Sequence, residues 1–131
     1  MPILFINCAL FPFIQWILSG LKTYETRNKN TLKSLVGKTI FLAETGKHKK
    51  PIVYGIATIT NVLCITSLKE YNRYRKQCMV KKGSVFDFIP GKKKYLYALS
   101  NVQKIIPFVP AEGIRHGRIY MDFAGIDYYI S

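Results

Sequence analysis

The hydrophobic positions of this chain fall into short runs of two kinds. "PILFINCA", Pro2 to Ala9, is nearly unbroken, the mark of a strand buried on both faces. "LFPFIQWILSG" behind it sets Phe13, Trp16, Ile17 and Gly20 at helical spacing. Pro12 suits the first turn of that helix, where its missing N–H is not needed, and Gly20 suits the left-handed position past the last turn. "KTYETR" then alternates, so that Thr23, Glu25 and Arg27 share one side of an extended segment and Lys22, Tyr24 and Thr26 the other. "NKNTLKSLVG" reads as loop and short turn, "KTIFLAE" as a strand and "TGKHKK" as a basic loop. "IVYGIATITNVLCI" reads as a long strand in which Gly55 marks a bend or bulge.

A second helix opens at "SLKE", where Ser67 has the place of an N-cap and Glu70 that of its capping-box partner. Leu68, Tyr71, Tyr74 and Cys78 continue at helical spacing, Lys69, Arg73, Arg75 and Lys76 fill the opposite face, and the helix is expected to run out near Gly83. "PGKKK" is a turn, "YLYALSNV" a strand, and "GRIYMDFAG" alternates with Ile119, Met121 and Phe123 on one face. No internal repeat or low-complexity linker interrupts this order. The sum is an α+β chain of five to six strands with two helices, inserted early and midway. That is the pattern of a small barrel carrying helices, not of an alternating βαβ chain. At 131 residues, a single domain spanning residues 1–131 is expected.

Charge changes the picture most. Twenty Lys and Arg against seven Asp and Glu give a net charge of +13, a field that attracts polyanions, and nucleic acid is the commonest of these. Cys8, Cys64 and Cys78 are odd in number and lack C-x-x-C spacing, so neither a disulfide framework nor a zinc knuckle is expected. His48 and His116 have no partner at ligand spacing, so no metal or cofactor is expected either. Residues 1–21 carry no charged side chain, but Pro2 and Pro12 interrupt them and Asn7 and Gln15 are costly in lipid. A buried strand and an amphipathic helix explain them better than a membrane span, and a cytoplasmic protein is expected.

Gly20, Lys22, Glu25 and Arg27 in "SGLKTYETR" reproduce the signature G-x-K-x-x-E-x-R, and the chain here resembles the ASCH (activating signal cointegrator homology) family of PUA-like folds. The order of elements resembles it too, from the first strand and helix through "VGKTIFLAETG" and "VYGIATITNV" to "YLYALSNV". The resemblance implies a PUA-like small β-barrel with two or more helices packed on it. It implies RNA binding in a cleft lined by the motif residues Gly20, Lys22, Thr23, Tyr24, Glu25 and Arg27. It also carries an alternative, a small hydrolase acting as ribonuclease or nucleoside amidohydrolase with Lys22 and Glu25 catalytic. In the amidohydrolase branch a threonine stands where this chain has Glu25, and a further glutamate is used, for which Glu44 and Glu70 are available.

The residues divide accordingly. Lys22 is a phosphate or base contact, or else a cation beside a helix C-terminus. Glu25 and Arg27 contact base and phosphate, or brace the barrel as an ion pair. Lys47, Lys49 and Lys50 on one loop, Lys92, Lys93 and Lys94 on another, and Arg73 and Arg75 on the second helix supply a sequence-independent footprint on the backbone. Tyr24 is the first candidate for stacking on a base, Tyr74 the second, whereas Trp16 is expected to pack. Arg115, His116 and Arg118 would add phosphate contacts or decorate a loop. The expected partner is single-stranded or structured RNA, with a nucleoside or modified base as the alternative ligand.

Overall fold

The computed structural model of the chain describes residues 1–110 and the backbone of 120–122. Its elements are β1 (Pro2–Asn7), α1 (Phe13–Leu18), β2 (Tyr24–Arg27), a 3-10 turn (Lys33–Leu35), β3 (Thr39–Thr45), β4 (Ile52–Ile65), α2 (Leu68–Cys78), β5 (Lys94–Phe108) and β6 (Tyr120–Asp122). The strands form one mixed sheet in the order β2-β5-β4-β3-β1-β6, with β1 parallel to β3 and every other neighbour antiparallel.

The unbroken apolar runs of β1 and β3 arise because both faces of these strands are covered. Leu4 and Ile6 with Ile40 and Leu42 point to one core, where Phe13, Ile14 and Ile17 of α1 close over them. Ile3 and Phe5 with Phe41 and Ala43 point to another, shared with Val53, Ile56 and Ile105. A third cluster joins Tyr71 and Cys78 of α2 to Ile65, Val80, Phe88 and Leu96. Beside Gly55 the ladders of β4 with both β3 and β5 shift register, the expected bulge. A Cβ at Gly55 would collide with Leu18 and lie 2.7 Å from the Gln103 carbonyl oxygen, so α1 seats there only on a bare backbone.

Three expectations are corrected. Among the described residues no ladder joins β2 to β6, so the sheet is not closed into a barrel. It curls nonetheless. Four strand spacings of about 4.8 Å would hold β2 roughly 19 Å from β1 in a flat sheet, yet the Arg27 guanidinium on β2 donates to the Phe5 carbonyl on β1 at 3.2 Å. Helix α2 has its Ser67 cap, which accepts from the Glu70 N–H at 3.2 Å, but it ends at Cys78 rather than near Gly83. Met79 turns left-handed with φ 53°, which drops Val80 into the third core. Lys94 begins β5 instead of closing a loop. Within "GRIYMDFAG" only 120–122 are described, pairing with β1, and Arg115, His116 and Arg118 lie outside the described residues. No described helix is long and apolar enough to cross a membrane.

Candidate functional site

Gly20, with φ 83°, ends α1 and sends the chain toward α2. There the Thr23 N–H donates to the Gln77 carbonyl at 2.9 Å, and the Lys22 ammonium donates to the Cys78 carbonyl at 2.6 Å. Lys22 thus caps the last turn of α2, where the negative end of the helix dipole favours a cation. The expected alternation fails at this point. Lys22 precedes the first residue of β2, so its side chain is free to turn to the Glu25 side, with Nζ 3.9 Å from Oε1 and 4.9 Å from the Phe13 ring centroid.

Glu25 is 4% exposed and fully engaged: Oε1 accepts from the Thr26 N–H at 3.0 Å and Oε2 from Arg27 Nη2 at 3.2 Å. Arg27 and Glu25 share one side of β2, as the period of two requires, and the same guanidinium reaches Phe5 on β1. Lys94, also 4% exposed, donates from Nζ to Asn28 Oδ1 at 2.7 Å and forms no ion pair with a described carboxylate. Burial lowers the pKa of both lysines, against the pull of Glu25 on Lys22 and of Asp87 on Lys94.

These groups border a cleft of about 230 Å³ between β1, β2 and the segment after α2. Ile6 and Asn7 form one side, residues 25–28 and Lys94 the floor, and Phe13, Val85 and Phe86 an apolar wall. Phe13 and Phe86 meet edge to face at 5.1 Å between centroids. Glu25 and Arg27 of the motif line the cleft, and Lys22 stands behind Glu25, 1% exposed.

The other expected residues are dispersed. Tyr24 is half-buried in an edge-to-face contact with Tyr74 at 5.6 Å, so the two rings are packed on each other and not displayed as free stacking platforms. Arg75 is held by Asp87 at 2.7 Å and lies 5.0 Å from the Tyr71 ring centroid, whereas Arg73 is exposed. Lys47, Lys49 and Lys50 are exposed on the loop that leaves β3 just after Thr45, the partner of Asn7 in the ladder. Lys92 and Lys93 are exposed before buried Lys94. Trp16 packs edge to face on Phe13 at 5.8 Å between centroids, as expected. Sequence reasoning missed Asn7, Asn28, Val85 and Phe86, which carry no periodic or motif signal.

Cys78 provides a pH-dependent check on this junction. Its thiol is buried and, chiefly through desolvation, pushed up from 9.0 to about 11. An unfolded thiol ionises near the lower value while the folded one keeps its proton, so in that window the folded state binds more protons and stability falls as pH rises. The two-unit gap corresponds to roughly 2–3 kcal/mol. Lys22 and Lys94 act in the opposite sense: their lowered pKa values cost stability while they are charged, and that cost fades as pH rises toward 10.5. The difference between wild type and Cys78→Ala isolates the thiol. Urea denaturation at pH 8 and pH 11 should find the wild type losing about 2–3 kcal/mol more than the variant, and parallel losses would contradict the assignment.

No family model and no curated protein matches the chain. Among solved structures it is similar to ASCH from Zymomonas mobilis, with a TM-score of 0.67 at 22% identity over 82% of this chain and 72% of that one. A serine-to-alanine mutant of that protein gives 0.67 at 23% identity over 82% and 72% of the two chains, and a tyrosine-to-phenylalanine mutant 0.66 at 23% over 82% and 74%. The mixed sheet with its two helices therefore has the fold of an ASCH domain.

Proposed function

We propose that this protein is an RNA-binding module of the PUA-like kind, which holds RNA across the cleft between β1 and β2. The observation that supports the reading is the coincidence of a net charge of +13 with a cleft lined by Arg27 and Lys94, while Lys47, Lys49 and Lys50 are exposed on the loop that follows Thr45, the ladder partner of the cleft residue Asn7. Lys92, Lys93 and Arg73, all exposed, extend the basic surface. Lys22 serves as a brace: it fixes Glu25 and the end of α2, and the cleft residues contact the ligand. The hydrolase alternative depends on a lysine that does not line the cleft, so binding without turnover is the better-supported reading.

The test is retention of a labelled single-stranded RNA at two salt concentrations. Three backbone contacts by the loop lysines, each contributing about −0.7 to the slope of log affinity against log salt, predict a weakening of roughly twentyfold between 50 and 200 mM. Lys47, Lys49 and Lys50 changed together to Gln should flatten that slope and leave the RNA intact. Salt-independent retention would remove the electrostatic reading, and cleavage of the RNA would replace it with a nuclease.

A further inference from the structure

The chemistry of the cleft lining is one-sided. A lysine ammonium can only donate, so the oxygen of Asn28 must face Lys94, and a backbone N–H can only donate, so the oxygen of Asn7 must face the Ala9 amide, at 2.8 Å. Both asparagines are left with their NH2 groups to offer. The two oxygens of Glu25 are occupied by the Thr26 N–H and by Arg27, with Lys22 beyond. Every carboxylate and side-chain amide oxygen of the lining is therefore in use within the protein, whereas Lys94, Arg27, Asn7 and Asn28 retain donors. The charges lean the same way. Among the described residues Glu25 answers Lys22 and Arg27, and Asp87, the carboxylate that acts most on Lys94, is already held by Arg75, so the four cations exceed the two carboxylates by two at a site where both lysines and Glu25 are buried.

A neutral base brings acceptors and donors together and would leave that excess unanswered. A phosphate monoester brings acceptors only, with a charge of about −1.5 to −2 at neutral pH, and the excess matches it. Internal phosphodiesters carry one negative charge each. We propose that Arg27, Lys94 and the amide groups of Asn7 and Asn28 form a phosphate subsite, through which the cleft takes the phosphorylated end of an RNA, with the terminal base against Phe13, Phe86 and Val85. The volume of about 230 Å³ is below the range of about 300–1,000 Å³ that drug-sized ligands occupy, which suits a single nucleotide. The proposal rests on the RNA reading above and goes beyond it by naming the chemical group that enters the cleft.

The experiment titrates the full chain with the common ribonucleosides, with their 5′- and 3′-monophosphates and with inorganic phosphate, following backbone amide signals by NMR. In parallel it measures retention of one oligonucleotide carrying hydroxyl or phosphate at its ends. At least one monophosphate series should bind roughly tenfold to hundredfold more tightly than its nucleosides, the range for charge-assisted hydrogen bonds. Lys94→Met should reduce that preference to about twofold or less. Asn28→Asp, at an exposed position where it sets a carboxylate beside Lys94, should do the same and decides the matter if Lys94→Met fails to fold. Equal affinity for nucleoside and monophosphate, binding of neither, or a preference that survives in Asn28→Asp would overturn the subsite. Retention of hydroxyl-ended RNA in those same cases would leave the RNA reading standing. Monophosphate binding without retention of any oligonucleotide would keep the subsite and remove RNA as the partner.

Discussion

Glu25→Ala is expected to destabilise the folded protein by about 3–5 kcal/mol, the cost of leaving buried charge without its partner. That is a large share of the roughly 5–15 kcal/mol by which a domain of this kind is stable. Among the described residues the carboxylate is the only negative charge in contact with Lys22, which is 1% exposed, and it holds Arg27 as well. Its removal leaves Lys22, among the described residues, with the Cys78 carbonyl and the face of the Phe13 ring. The converse change should be milder. Lys22→Met leaves Glu25 with Arg27 and the Thr26 N–H, so the loss is roughly 1–3 kcal/mol, mainly for the Cys78 carbonyl that loses its donor. Urea denaturation of the two variants, with m-values compared, measures the asymmetry. If the two cost the same, or if Glu25→Ala costs under about 1 kcal/mol, the pair behaves as a surface salt bridge and the bracing role assigned to Lys22 fails.

Phe13→Ala should cost about 3–5 kcal/mol, the range for removing a buried aromatic ring. Phe13 is 5% exposed, packs against Phe11, Trp16 and Phe86, and has the Lys22 ammonium over its face. Its loss therefore removes an aromatic cluster and a cation–π contact at once. Phe13→Leu, which keeps most of the buried volume, should lose clearly less stability, because aliphatic packing is retained and only the ring-specific contacts go. Equal losses in the two variants would place the energy in those ring contacts alone; no loss in either would mean that α1 does not depend on its N-terminal ring.

The elements that could be read in advance are those whose cause is local. Ser67 announces a helix start because its hydroxyl reaches an N–H three residues on, and Gly20 announces a helix end because few other residues accept its φ. Glu25 and Arg27 on one side of β2 follow from the pleat. What escaped was set by contacts distant in sequence. The alternation of β2 does not extend to Lys22, because the strand begins at Tyr24 and Lys22 turns toward a carbonyl 56 residues away. Lys94 stands in a run of three lysines and looks like its neighbours, yet the first residue of β5 faces Asn28, 66 residues away. Closure of the sheet depends on long-range pairing that no local pattern encodes. The end of α2 depends on Met79, a residue with little preference for the left-handed turn it adopts. The motif located the site, whereas the partners that make it a cleft came from across the fold.

Strand β2 is four residues long and, among the described residues, has a ladder on one side only, with β5. Its other side is fastened by side chains: Arg27 to Phe5, and Glu25 through Lys22 to the end of α2. Such a strand is where a sheet opens first, ahead of global unfolding, and its amides should exchange with solvent sooner than those of β3 and β4. The residues that line the cleft are therefore also its latch. An anion drawn to Arg27 would compete with Glu25 for the guanidinium, and occupancy would be felt as a change in how readily one edge of the sheet unzips.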